Sequence, residues 1–429
     1  MGPFSPFRWF RSPQAQARCR TALSGQTSLD AAVKDVSSQL GNALADLGLV
    51  FVSSHFASDL PRLLPLLQTT LKANHWLGCI GGGVVGTGSD GQSHELEQTP
   101  ALSVSLLNLP GAVLQPFSVS TDKLPDLDGS NQTWHQWLGV DPSQLRSLLV
   151  LIDPTSSGIN DLISGLDYAF PGTPCLGGIA APHAAPHGSL LEGDAVTTGA
   201  VGVAIGGDWT LEPAVAQGCK PIGPVFAIEK AERNVLMELS HEQQRDTPVA
   251  CLQRVLADLN EQERESVKDS LFLGVERQAL RLDPSGVPKP LSAFLVRNLI
   301  GVDPRNGAVA VAERIRVGQN VQFQLREAEA ARQEARLLLC DARDRCDDPP
   351  LMGLLFACLG RGAGLFGAAD GDVSIARSVM ADLPIAGGFC NGEVGPLAGS
   401  THLHGYTACW GLLRHAPLAT SETDRTPQA

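Results

Sequence analysis

The segment Gly388-Phe-Cys-Asn-Gly392 sets a cysteine between glycines in the G-x-C-x-G pattern of a nucleophile elbow. Glu393 follows directly and His404 stands a short way on, so the residue types of a Cys-His-Glu nucleophilic set are present. An elbow needs a strand-to-helix turn to expose its nucleophile, whereas Pro396 and an apolar, strand-like run at 402–410 follow here. The segment therefore reads better as a glycine-rich turn lining a pocket, with a hydrolase or transferase using Cys390 as the rival.

Arg297 is the other residue whose setting asks for an explanation. In the strand-like run 293–300, alternation puts it on the same face as Ala293, Leu295 and Leu299. An unpaired charge on a buried apolar face costs on the order of several kcal/mol, so Arg297 needs a partner unless it reaches water at a sheet edge. Glu393 would make the pair structural; a ligand carboxylate gripped by two parallel hydrogen bonds would make it functional. Arg361 and Asn391 fall on glycine-rich turns at strand ends, where side chains and backbone N–H groups can face a cleft.

Two motifs fail their context. Gly362-Ala-Gly-Leu-Phe-Gly367 satisfies G-x-G-x-x-G, but Asp370 and Asp372 follow where a phosphate-binding helix should start. His183 and His187 are separated by Pro186 and cannot align on a helix, and His402 with His404 lacks further ligands, so no metal is expected. No cofactor is expected either.

The elements that position these residues repeat three times. Each copy has an apolar strand, a helical stretch, a glycine-rich strand and a further strand. The first runs through 47–54, Leu60 to Leu71 and Trp76-Leu-Gly-Cys-Ile-Gly81 to a strand at 101–107. The second uses 148–153, 159–166, 174–181 and 199–205; the third uses 353–358, 373–380, 384–395 and 403–410. Helical crossovers favour parallel pairing and short connections favour antiparallel pairing, which predicts an α/β fold of mixed sheets layered with helices.

Composition narrows the function classes. Hydrophobic residues make up 43% and charged residues 18% of the 429, enough apolar material for two or three cores. A net charge of −13 without clustered Lys/Arg argues against a nucleic-acid partner. No apolar run is long enough to span a bilayer, so no membrane association is expected. The ten cysteines contain no C-x-x-C pair, which fits a reducing, cytoplasmic setting. Arg8, Arg11, Arg18 and Arg20 precede any acid, yet the opening stretch reads as a polar tail in preference to a targeting signal.

Several segments in order resemble the FIST family (F-box and intracellular signal transduction). They include Leu77-Gly-Cys-Ile-Gly81, Gly218-Cys-Lys-Pro-Ile-Gly-Pro224, Phe294-Leu-Val-Arg-Asn-Leu-Ile-Gly301, Cys358-Leu-Gly-Arg-Gly362, 387–396 and Leu403-His-Gly-Tyr-Thr407. The resemblance implies an N-terminal domain at 25–245 and a C-terminal domain at 246–415, between tails at 1–24 and 416–429. It further implies a sensory, non-enzymatic role for a small polar metabolite such as an amino acid. Too few residues precede Ser28 for an F-box, so the signal is expected to pass to a separate partner protein. Expected ligand contacts are Arg297, Cys358, Arg361, Cys390, Asn391, Glu393 and His404; a ligand-free interaction scaffold is the remaining alternative.

Overall fold

The computed structural model describes residues 16–42, 44–282, 288–346 and 348–416. Most of both expected tails, 1–15 and 417–429, lies outside the described residues. The end of the first tail does not match the expectation: Arg18–Ser24 is a strand paired antiparallel with Leu102–Asn108.

Three six-stranded sheets share one strand order. The first runs Arg18–Ser24, Leu102–Asn108, Leu44–Ser53, Lys72–Gly81, Leu190–Glu192, Ala195–Thr197. The second runs Ala112–Val119, Ala200–Gly207, Leu145–Ile152, Cys175–Ile179, Glu393–Leu397, Ser400–His404. The third runs Trp209–Ala216, Ala408–His415, Met352–Cys358, Ile385–Cys390, Gly83–Thr87, Ser93–Glu97. In each, a helix (Leu60–Gln68, Ile159–Ala169 or Gly371–Val379) carries the crossover between two parallel central strands.

The expected repeat is therefore present, with one difference. The strand that closes each unit pairs with the unit's first strand, and the glycine-rich strand hands the chain to a neighbouring sheet. Gly83–Thr87 leaves the first unit for the third sheet, Glu393–Leu397 leaves the third for the second, and Leu190–Glu192 leaves the second for the first. The exchange is cyclic, so the units lock one another. At the crossing, Gly82 N–H donates to Phe389 O, Asn391 N–H to Ile179 O and Ala181 N–H to Ile80 O, each at 2.9 Å.

Glycine is needed where these strands approach. Gly177 and Gly387 lie opposite Val150 and Leu355 with φ of 153° and 150°. A Cβ there would stand 1.7 and 1.9 Å from those residues' carbonyl oxygens. The inner faces of the three sheets share one core, where Phe51 of the first unit meets Phe356 of the third edge to face at 6.0 Å. Helices cover the outer faces with separate apolar clusters.

Between Trp209–Ala216 and the helix Ala328–Asp344 the chain builds a fourth sheet. Its strands close through the pairing of Cys219–Glu232 with Val235–His241, giving a barrel-like sheet around Ile222, Phe226, Leu273 and Phe323. The expected domain boundary near 245 falls within this sheet, at the short strand Gln244–Asp246. Among the described residues no helix is long and apolar enough to cross a membrane.

Candidate functional site

A cleft of about 1020 Å³ opens where the barrel meets the second sheet. The barrel contributes Arg297 from the strand Pro288–Asp303, Arg277 from the strand Leu271–Leu282, and Glu313 just past the strand Ala308–Val311. The opposite wall is the end of Ser400–His404 and the start of the helix Ile159–Ala169. That helix begins at Gly158 with no side-chain cap, and its first turn, Asp161 included, lines the cleft.

Arg277 Nη2 and Arg297 Nε both reach Glu313 Oε2, each at 2.9 Å. Arg297 Nη1 also donates to Leu403 O at 2.7 Å, tying the barrel to the second sheet. Burial pulls the Arg297 pKa below its usual range while Glu313 opposes the shift. Burial likewise opposes ionisation of Glu313, but Arg297 and Arg277 outweigh it and hold the carboxyl below its ordinary value. Two guanidiniums thus share one carboxylate oxygen, and Arg277 Nε is buried without a partner.

His404 is almost fully buried at the cleft wall. Its Nε2 lies 3.0 Å from Gly395 O, and a carbonyl can only accept, so Nε2 carries the proton. Nδ1 is left as a buried acceptor without a partner. Burial pushes the His404 pKa down to about 3 and that of His402 down to about 4, leaving both rings neutral near pH 7.

Arg297 and His404 are the two expected site residues that border this cleft. The partner of Arg297 is Glu313, not Glu393, because Glu393–Leu397 has been handed to the second sheet. The other five surround the strand ends of the third unit. Arg361 makes two bonds to Asp372, at 2.8 and 2.7 Å, with both side chains fully buried. Burial works against the Arg361 charge, but Asp372 overrides it and raises the pKa above the usual arginine value.

Glu393 takes a place filled by Val84 and Leu190 in the other two units. It accepts from Thr407 N–H at 3.1 Å, its Oε1 is unpartnered, and burial raises its pKa well above the ordinary range. Burial, then the nearby Glu393, pushes the half-buried Cys358 thiol up to about 11. Cys390 is enclosed at the crossing of the units, where a Cβ on Gly178 would stand 2.6 Å from its Sγ, and burial raises its pKa strongly. Such a thiol has neither the access nor the thiolate character of a nucleophile. Asn391 is exposed and serves the crossing through its backbone N–H.

Arg277, Glu313 and Asp161 were not anticipated, and His402 was weighed only as a metal ligand. The charged Glu-Arg-Ile-Arg run at 313–316 is a sequence signal that could have drawn attention to Glu313. Among the described residues no group of three or more His, Cys, Asp or Glu is placed to hold a metal ion.

Two family models match the chain: the FIST N domain over residues 46–242 and the FIST C domain over residues 248–396. An uncharacterized protein of Mycobacterium tuberculosis is 32% identical over 376 residues, covering 87% of this chain and 92% of its own. An uncharacterized protein of Mycobacterium bovis is 29% identical over 396 residues, covering 92% of this chain and 97% of its own.

Proposed function

The chain belongs to the FIST family, and from that premise we propose that it senses a small anionic or zwitterionic metabolite bound in the cleft between the barrel and the second sheet. FIST domains are associated with sensory function in signal transduction. The observation that carries the choice of ligand is the single Glu313 carboxylate shared by Arg277 and Arg297. One guanidinium charge is left over inside a partly desolvated cleft, where a carboxylate can be held by parallel, charge-assisted bonds. Asp161 in the same lining offers an opposite charge for the ammonium of the same molecule. An amino acid has this combination.

In this reading Arg297 and His404 touch the ligand, while Arg361, Glu393, Cys358, Cys390 and Asn391 hold the third unit in place behind it. Occupancy would bridge the barrel and the sheets, and a partner protein would read that change. Calorimetric titration of a panel of amino acids and organic acids tests the grip. Arg297→Ala and Arg277→Ala are each expected to weaken the best binder by about tenfold or more. Unchanged affinity in both variants refutes it.

A further inference from the structure

The cleft does not end at Glu313. It continues into a second cavity of about 610 Å³, and the two share Arg233, Arg277, Glu313 and Arg314. The second cavity adds Arg316 and is otherwise lined by Ile315 and Gln319. Four guanidiniums face one carboxylate there, a formal surplus of three positive charges, on a chain whose net charge is −13. Glu313 is already engaged by Arg277 and Arg297. Among the described residues, the side chains of Arg233, Arg314 and Arg316 have no carboxylate partner.

The backbone holds these three arginines in one place. Ile315 N–H donates to Arg233 O at 3.0 Å, joining the turn at 233 to the 313–316 segment. Arg316 N–H donates to Gln319 Oε1 at 2.6 Å. Arg233 itself sits in the two-residue turn between Cys219–Glu232 and Val235–His241 with φ of 55°. Glycine or asparagine takes that left-handed conformation at least strain, so an arginine there sets a charge on the rim at a conformational cost.

A single carboxylate does not match a surplus of three charges. A phosphoryl group, with close to two negative charges, offsets more of it and presents three terminal oxygens to three guanidiniums. Among the described residues lining the second cavity there is no aromatic ring on which a nucleobase would stack, which favours a small molecule over a nucleic-acid strand. Resting on the reading that the cleft binds a small ligand, we propose that this ligand is a phosphorylated metabolite. One anionic group is held by Arg277 and Arg297, and a phosphoryl group by Arg233, Arg314 and Arg316.

The test uses the full chain and two probes at fixed ionic strength: inorganic pyrophosphate, which has two phosphoryl groups, and L-glutamate, which has none. Binding is measured by calorimetry for the wild type, for Arg297→Ala and for Arg314→Ala/Arg316→Ala. Both residues of the double variant are exposed, so the fold is expected to be kept, and thermal unfolding checks this. Pyrophosphate is expected to bind about tenfold or more tightly than L-glutamate, with a steep loss of affinity in added salt. The double variant is expected to lose about tenfold for pyrophosphate and less than about twofold for L-glutamate. If L-glutamate binds through Arg297 while pyrophosphate is no tighter, or is indifferent to the double substitution, the phosphoryl site is overturned and the reading of the cleft stands. If neither probe binds, both are overturned.

Discussion

Arg361 and Arg297 are both withdrawn from water, yet they stand in regions built for different ends. Arg361 lies in the third unit, where its two bonds to Asp372 and its contact with Tyr406 O use up the guanidinium within the protein. Arg297 lies in the cleft and holds half a share in Glu313, the other half going to Arg277. Burial alone does not distinguish a structural charge from a receptive one. What distinguishes them is whether the neighbouring groups already satisfy it.

The largest effect expected from that contrast is on stability. Arg361→Ala strands Asp372 as a buried, unpaired charge and is expected to cost about 3–5 kcal/mol in urea denaturation. Arg297→Ala leaves Glu313 paired with Arg277 and is expected to cost no more than about 1–2 kcal/mol by the same measurement. Equal losses would dissolve the distinction. The crossing of the units is similarly intolerant. Gly177→Ala forces a Cβ against Val150 O and is expected to lower stability by about 2–4 kcal/mol, read from the shift in denaturation midpoint.

The two regions should also answer pH in opposite directions. His404 in the cleft titrates near 3 in the folded protein against an ordinary 6.5. Its contribution is complete above pH 6.5 and is lost as pH falls from there toward 3, because the unfolded chain takes up the proton first. Glu95, buried beside Asp372 in the third sheet, is pushed from 4.5 up to about 8, chiefly by burial and then by Asp372. Its contribution is complete below pH 4.5 and is lost as pH rises toward 8. Glu95→Gln is therefore expected to flatten the alkaline side of the stability profile and His404→Gln the acid side. A profile unchanged by either variant contradicts the assignment. The smallest effect concerns the thiols: iodoacetamide is expected to modify the half-buried Cys340 and Cys346 in the native protein and to spare Cys390.

Much of the fold was legible in the chain because its signals are local. Each glycine-rich strand follows a helical crossover, and the parallel pairs Val50–Gly78, Val150–Gly177 and Leu355–Gly387 express that order directly. The exchange of strands between units was not legible, since nothing in a short connection says which sheet the next strand joins. That missing step scattered the expected site. Arg297 declared itself as a charge in an apolar alternation, but Glu313 reaches it across the hairpin of Pro288–Asp303 with Ala308–Val311, and His404 through the strand that follows the one handed to the second sheet. Arg361 and Glu393 stood out only as charges in glycine-rich segments, and the pairing of Arg361 with Asp372 and the enclosure of Glu393 set them apart from Arg297.

The most direct measurement is native mass spectrometry of freshly purified wild-type protein and of Arg297→Ala, with denaturation to release and identify any bound small molecule. The cleft is predicted to retain a stoichiometric anionic metabolite in the wild type and to lose it in the variant. The same molecule retained equally by both would contradict the account, as would an empty wild type whose thermal stability no amino acid, organic acid or phosphorylated metabolite changes.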